Sequence, residues 1–591
     1  MSESEPYVLY RVCPTCRFHY SLTARERIEL LMDRSTFRET NRSISSLDPL
    51  TFSGRSRGRG KARGKERGKD EDTASPSGRV PSDQRRTGLT EAVVTGHGTI
   101  GGSKTTIVVL DFGFMGGTMG SVVGEKVTLA FEAAAKSGRP LVAIVTGGGI
   151  RIQEGVLSLL QMAKTATAVR HLRQKGLPLI VVLANPATGQ AYASFANLAD
   201  IMLAEPGSLI GLAPMRTLRE ATKKSLPLDA HTAEAHLNHG LLDDVVDRED
   251  LKERIANLLQ LLGPQRSGRD TNGKNGRDDT VLALDGEVGD VELADAERAV
   301  RRIDRPTARD YIRSVIDHFI ELKGDRVSGD DRTVVGGVGY LRGNKVVVLG
   351  QQREIQLDHE IHHMYPKGFR KAQRLINLAS TFHLPVVSFV DTQGAHPGLE
   401  SEEQGIGNAV ATTMSMMAEA PTPVVSVIVG EGGGEGALAL GLADSMLMQQ
   451  YAVLSPAPLH TSTSRLHRDP ARSREAAHTL TLTASECSEL GLVDLVVAEP
   501  EGGAHEDLLT AAHYLQLAVA KELEKLGKLS TKKLIDRRHK KFRRMGELTP
   551  YAREALGREV EQLEHMVARE HAGRAGRQGS RRVTEEEQAA D

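Results

Sequence analysis

Four glycine-bearing loops carry most of the chemistry this sequence can do. Thr146-Gly-Gly-Gly-Ile-Arg-Ile-Gln-Glu154 and Thr188-Gly-Gln-Ala-Tyr-Ala-Ser-Phe195 form one pair, and Gln393-Gly-Ala-His396 and Gly432-Gly-Gly-Glu-Gly-Ala437 form another. Glycine lets a backbone turn its N–H groups toward a ligand oxygen, and fixed donors of this kind stabilise an oxygen that gains negative charge during a reaction. One such loop alone reads equally as a tight turn needing positive φ. Four in two matched pairs point to two oxygen-binding half sites that hold two reactants face to face. Neither pair has the G-x-G-x-x-G with a downstream acid expected for a dinucleotide, or a G-x-x-x-x-G-K-S/T phosphate loop, so NAD and direct ATP chemistry are disfavoured. No G-x-S-x-G nucleophile elbow occurs.

The elements that must position these loops are repeated. Pro186 to Pro214 lies over Gly430 to Pro458 without a gap, in a register set by Ala199-Asp200 and Ala443-Asp444. Each copy predicts a strand, a Gly-bearing turn, a small-residue helix, Ala-Asp, a short strand and a turn. Upstream, with a one-residue slip, Arg139 to Arg151 resembles Leu384 to His396, again an apolar β-branched run ending in a Gly loop. In the first half Glu154 is expected to open a helix running through Met162, which puts the loop amides at a helix start. Apolar strands alternating with helical segments predict an α/β fold.

The chain has 591 residues, beyond one ordinary domain. The expected organisation is a cap at 1–52, a disordered basic linker at 53–86 and a first domain at 87–262. A flexible linker at 263–292, a second domain at 293–550 and a charged helix with a tail at 551–591 complete it. Lys plus Arg total 76 against 77 Asp plus Glu, so overall charge suggests neither a nucleic-acid nor a membrane partner. The Arg/Gly/Lys run at 53–86 reads as a solvated insertion, with a nucleic-acid tether as the alternative. No signal peptide or spanning segment is expected, and a cytoplasmic location is the default. Three cysteines, Cys13, Cys16 and Cys487, exclude a disulfide scaffold. His359 and His363 stand at helical i, i+4 spacing, but without a full H-E-x-x-H they read as part of a polar surface segment.

At these residues the chain resembles the carboxyltransferase of bacterial acetyl-CoA carboxylase, with its β subunit fused ahead of its α subunit. The β-like signature includes Thr23-Ala-Arg-Glu-Arg-Ile28, Thr87 to Gly96, Asp111 to Lys126, Gln161-Met-Ala-Lys-Thr165 and Ala193-Ser-Phe-Ala196. The α-like signature includes Arg305-Pro-Thr307, Glu321-Leu-Lys-Gly-Asp-Arg326, Gly368-Phe-Arg-Lys-Ala372, Gly430-Glu-Gly-Gly433 and Gly502-Gly-Ala-His505. The resemblance implies two crotonase-like ββα-spiral domains in tandem behind an incomplete zinc-ribbon-like cap. It implies carboxyl transfer from carboxybiotin on a separate carrier protein to acetyl-CoA, giving malonyl-CoA, with a separate biotin carboxylase and a homodimer or higher oligomer. Carried over, the acyl-side hole uses amides around Gly148, Gly149, Ile150, Gly189 and Gln190, and the biotin-side hole those around Gly394, Ala395, Gly433 and Gly434. Arg151, Gly211, Ala213 and Arg216 are the expected substrate-binding residues.

The sequence also departs from that pattern. Only Cys13 and Cys16 of two zinc-binding pairs are present; two thiolates do not close a four-ligand site, so zinc is not expected. Glu435-Gly436 replaces a Gly-Gly, putting a carboxylate at a helix start beside the biotin-side hole, where it is expected to oppose enolate formation. His396 replaces a Tyr, Gln190 a Gly, and Leu212-Ala-Pro-Met-Arg216 a Phe-Ala-Gly-Pro-Arg segment. The alternatives are a paralogue acting on, or decarboxylating, another acyl thioester, and a weakly catalytic RNA-binding scaffold.

Overall fold

The computed structural model describes residues 4–46, 79–213, 218–219, 226–264, 288–356, 359–361, 363–456 and 481–545. Residues 53–78 of the expected basic linker, most of the central linker, Arg216 and the charged helix and tail expected at 551–591 lie outside the described residues; the rest of the basic linker is not disordered, since Arg79–Thr87 is a helix.

Two sheets account for the repeat. The first contains β1 (Arg38–Thr40), β2 (Val93–Ile100), β3 (Ser103–Leu110), β4 (Leu141–Gly148), β5 (Leu179–Thr188), β6 (Ile201–Ala204) and β8 (Asp244–Val245) in that spatial order, with β7 (Ile210–Gly211) beside β5. The second begins with β9 (Asp317–Glu321), β10 (Val334–Leu341) and β11 (Asn344–Gln351). A small hairpin, β12 (Glu354–Gln356) and β13 (His359–Ile361), then leads to β14 (His363–Met364). Next come β15 (Val386–Thr392), β16 (Gly394–Ala395), β17 (Val424–Gly433), β18 (Ser445–Gln449), β19 (Val453–Ser455), β20 (Leu482–Thr483) and β21 (Leu495–Val497). In both halves an antiparallel hairpin, β2–β3 or β10–β11, feeds three parallel strands, β3–β4–β5 or β11–β15–β17. The parallel strands are near-continuous Val, Ile and Leu because both faces are covered.

His359 and His363 do not share a helix face, since His359 lies in β13 and His363 in β14. α1 (Ala24–Leu31) is opened by a capping box in which Thr23 accepts from Glu26 N–H and Glu26 accepts from Thr23 N–H. The other helices that bear on the site are α2 (Ser121–Ser137), α3 (Val156–Arg173), α4 (Pro366–Phe382), α5 (Gly434–Gly441) and α6 (Thr531–Arg544).

The Ala-Asp pairs of the repeat do the same backbone work. Asp200 accepts from Leu179 N–H at 2.9 Å, and Asp444 accepts from Val424 N–H at 2.9 Å, each tying the start of one strand to the next. Their electrostatics differ. Asp444 is met by the fully buried Arg538 of α6 through two hydrogen bonds, at 2.6 and 3.0 Å. Asp200 has no such partner among the described residues, and burial pushes its carboxyl up to about 6 against the pull of the Leu179 N–H.

The halves also touch. Asp243 stands between Arg326 and Arg374, the latter at 2.8 Å, and Lys345 Nζ donates to Gly263 O at 3.3 Å. A Cβ on Gly176 would lie 3.3 Å from Thr381 O. Gly176 and Thr381 belong to the ends of α3 and α4 that lead into the starts of β5 and β15, whereas the glycine loops follow the ends of those strands.

Candidate functional site

Each half builds its loops by the same local device. The pairing of β4 with β5 shifts register between Val145 and Gly147, and that of β15 with β17 shifts between Val390 and Thr392. Such an irregularity bends a strand end and releases its backbone from the ladder. The chain then passes through Gly149 at φ +106° or Gly394 at φ +127°, values that L side chains rarely adopt. The nearest atom to a Cβ on Gly149 would be Gly189 Cα at 3.8 Å, and to one on Gly394 it would be Gly433 O at 3.4 Å. Thus each pair of loops comes together within its own half.

Neighbouring bonds fix which way the amides face. Arg151 N–H donates to Met119 O at 3.0 Å, and Met119 N–H to Gly149 O at 2.8 Å. Since successive N–H groups on an extended chain point to opposite sides, Ile150 N–H is turned away from Met119. His396 N–H donates to Met364 O at 2.9 Å, which turns Ala395 N–H away from Met364 in the same manner. Gly149, Ile150 and Gln190 N–H have no acceptor among the described residues. Two of the expected donors are engaged: Gly189 N–H donates to Gly211 O at 2.9 Å and Gly394 N–H to Thr392 Oγ1 at 3.1 Å. These glycines shape the loops while their neighbours supply the free donors. Gly148 ends β4 opposite Thr188.

The halves then diverge. In the second, α5 starts directly at the end of β17, and its N-cap Gly433 offers no side chain, so the first-turn N–H groups of Gly434 and Glu435 are uncapped. In the first, the helix expected from Glu154 through Met162 forms but starts later, at Val156. Ile152–Glu154 is a separate 3₁₀ turn, Gly155 at φ +59° redirects the chain, and α3 begins only at Val156. The acyl-side donors are therefore loop amides without a helix behind them. Gln190 to Phe195 are turns ending in a 3₁₀ turn at Ala196–Leu198.

Two expectations change on the biotin side. A Cβ on Gly436 would stand 2.7 Å from Ala395 N, so the close approach between α5 and β16 depends on this glycine. Glu435 is exposed to solvent, which screens its carboxylate. Gln351, which carries no motif, braces the site: its Nε2 donates to Gly436 O at 2.8 Å and contacts Met364 Sδ at 3.3 Å. Its Oε1 is buried without a partner. Only its place at the end of a strand before the hairpin could have drawn attention to it.

Arg151 is not available to a substrate. It is buried, with Nη2 on Glu91 at 2.6 Å, Nη1 on Glu91 at 2.9 Å and Ser46 Oγ at 3.1 Å, and a further contact to Glu154 at 3.2 Å. A buried guanidinium beside two carboxylates is bound for structural reasons. Gly211 accepts the Gly189 bond and leaves no room for a Cβ, which would collide with His231. Ala213 is half-buried, and Arg216 lies outside the described residues.

Cys13 is buried and Cys16 exposed, and no group of three or more His, Cys, Asp or Glu able to hold a metal occurs among the described residues. The flanks of the pair are joined by Arg248, whose Nη1 donates to Tyr10 O at 2.6 Å and Tyr20 O at 3.0 Å while its other nitrogens bind Glu205. No helix among the described residues is long and apolar enough to cross a membrane.

The chain is similar to known proteins. Residues 286–546 match the family described as acetyl co-enzyme A carboxylase carboxyltransferase-like. The acetyl-coenzyme A carboxylase carboxyl transferase subunits beta/alpha of Natranaerobius thermophilus are 37% identical over 553 residues, covering 91% of this chain and 88% of that protein. Those of Saccharopolyspora erythraea are 37% identical over 544 residues, covering 91% of each. Among solved structures, a transcarboxylase 12S hexamer with methylmalonyl-coenzyme A and methylmalonic acid bound superposes with a TM-score of 0.66 at 22% identity, over 86% of this chain and 90% of that one. A single-chain, multi-domain long-chain acyl-CoA carboxylase gives 0.60 at 18% identity, over 83% of this chain and 45% of that one. The two sheets are crotonase-like domains in tandem, and the chain belongs to the acetyl-coenzyme A carboxylase carboxyl transferase family in its fused β/α form.

Proposed function

We propose that this chain moves a carboxyl group from carboxybiotin, borne on a separate carrier protein and charged by a separate biotin carboxylase, to acetyl-CoA, giving malonyl-CoA. The observation that carries the reading is the matched orientation of Ile150 and Ala395 N–H, each turned outward by the bond its successor makes. Gly149, Ile150 and Gln190 N–H would hold the thioester oxygen as charge develops on it. Ala395, Gly434 and Glu435 N–H would hold the biotin ureido oxygen, with the α5 dipole adding to the attraction. Carboxybiotin supplies the carboxyl group and, once it has left, a ureido nitrogen that takes the acetyl proton, so no side-chain base is needed.

The two half sites of one chain do not face each other in this reading; a second copy completes each site. Supporting this, contacts within the chain include Gly176–Thr381 and Lys345–Gly263, near the starts of the parallel strands. Large apolar side chains stand exposed next to the loops instead: Ile152 at 78% and Val156 at 69% in the first half, Leu399 at 74% in the second. Exposed apolar side chains grouped this way mark a surface another protein covers.

The test is carboxyl transfer from malonyl-CoA to biotin by the purified chain, followed by co-expression of Gly149→Pro with Gly436→Val, each inactive alone. Sites formed between copies predict recovery of about a quarter of wild-type activity, since half the dimers are mixed and each has one intact site. No recovery contradicts the two-copy site, and no transfer by wild type contradicts the reaction. A different acyl thioester is favoured by one observation. Gln190 is buried with its Oε1 unpartnered where the resemblance has glycine, so Gln190→Gly should change the preferred acyl length.

A further inference from the structure

His396 occupies in the second half the position that Arg151 occupies in the first. Each follows the outward-turned amide and donates its own N–H to a methionine carbonyl, Met364 or Met119. Arg151 is consumed by Glu91, Ser46 and Glu154. The partners of His396 are different in kind. Its ring stacks on Tyr365, with centroids 4.2 Å apart and planes 21° from parallel, and meets His363 edge-on at 6.2 Å. Its Nδ1 lies 3.2 Å from Gly398 N and 2.9 Å from Ser401 Oγ.

A backbone N–H can only donate, so Nδ1 must accept. A neutral imidazole holding an acceptor at Nδ1 carries its proton on Nε2. That Nε2–H makes no hydrogen bond among the described residues, and the ring is half-buried one residue beyond Ala395. Stacking on Tyr365 and the two bonds to Nδ1 hold the ring, so the donor is oriented before any ligand arrives.

We propose that His396 is a specificity-determining donor of the biotin-side half site, offering Nε2–H to an oxygen of the ureido or carboxyl group held by the Ala395 and α5 amides. This rests on the carboxyl-transfer reading above. Because the tautomer is set by the Gly398 amide, His396 acts as a hydrogen-bond donor and not as a base. Its loss would affect recognition of the biotin moiety and leave acyl-CoA recognition unchanged.

The test uses biocytin, the lysine amide of biotin, with three full-length proteins: wild type, His396→Phe and His396→Gln. Phenylalanine keeps the stack on Tyr365 and removes the donor; glutamine retains an N–H at comparable reach. Binding of biocytin is followed by saturation-transfer NMR, and transfer from malonyl-CoA to biocytin by loss of malonyl-CoA. One charge-free hydrogen bond corresponds to about a tenfold change. The expected result is a KM and a Kd for biocytin raised about tenfold in His396→Phe, largely recovered in His396→Gln, with kcat and the malonyl-CoA KM unchanged. Equal biocytin affinity in all three proteins overturns the proposal, as does a parallel loss of both KM values with a lowered Tm, which marks a structural role. His396-dependent binding without transfer in wild type would uphold the donor and contradict the transfer reading. No binding by wild type would overturn both.

Discussion

The two halves share their backbone and differ in what surrounds it. Gly149 and Gly394 both sit at positive φ behind a strand irregularity, and Ile150 and Ala395 are turned outward by equivalent bonds. Around that frame the first half encloses a buried charge network centred on Arg151 and leaves Asp200 unpaired. The second leaves His396 with an open donor and pairs Asp444 with Arg538. The duplicated geometry is therefore the part that presents oxygen-binding amides. The side chains beside it are where the halves differ, and under the proposed function they serve separate tasks, acyl thioester on one side and biotin on the other.

The largest way to break the comparison is to remove the pairing that sets Asp444 apart. Arg538→Met leaves a buried carboxylate unpaired and should cost about 3–5 kcal/mol, read as a fall in urea midpoint. A fall no larger than that of an exposed arginine of α6, such as Arg537→Met, would mean the pair does not distinguish the halves. Next, Gly149→Pro deletes a donor and a required positive φ, and should lower transfer about 10²–10³-fold, equivalent to about 3 kcal/mol, with the far-UV spectrum retained.

Asp200 provides a comparison by pH. Its carboxyl is raised to about 6 in the folded chain from an ordinary 3.8, so the folded state binds a proton that the unfolded state does not between those values. The stability it contributes is fully present below about 3.8 and is lost as pH rises through about 6, roughly 3 kcal/mol at most. Asp200→Asn should therefore be more stable than wild type at pH 7.5, and the difference should shrink by pH 5. The smallest effect is expected at Glu435. As an exposed, screened carboxylate it should alter the transfer rate less than about threefold when changed to glycine; a large rise would restore the view that it opposes the chemistry.

Much of this plan was legible in the sequence because local signals agreed with the fold. The β-branched runs, the Ala-Asp register and the loop glycines located both copies of the repeat. What sequence did not reveal depends on pairings between distant positions. Arg151 looked like a substrate ligand because it follows a glycine loop, and nothing near it announces Glu91, its buried partner. Arg538 and Asp444 are likewise far apart in sequence, and their ion pair appears only when α6 packs on the sheet. The helix expected from Glu154 starts later, at Val156, because Gly155 redirects the chain. The spacing of His359 and His363 is that of one helix face, but His359 lies in the hairpin strand β13 and His363 in β14, which pairs with β16. Gln351 has no motif at all, and its importance comes from reaching both Gly436 and Met364 at once.

The central claim is that two equivalent sets of outward amides, one per half, hold the two reactants. The most direct measurement is malonyl-CoA-to-biocytin transfer by wild type, Gly149→Pro and Gly436→Val, with separate KM values for each substrate. The account predicts transfer by wild type, and loss in both variants of at least about 100-fold, corresponding to one or more lost donors. It further predicts that acyl-CoA binding survives in Gly436→Val and biocytin binding survives in Gly149→Pro. Loss of both affinities in either variant, or transfer retained in both, would contradict it.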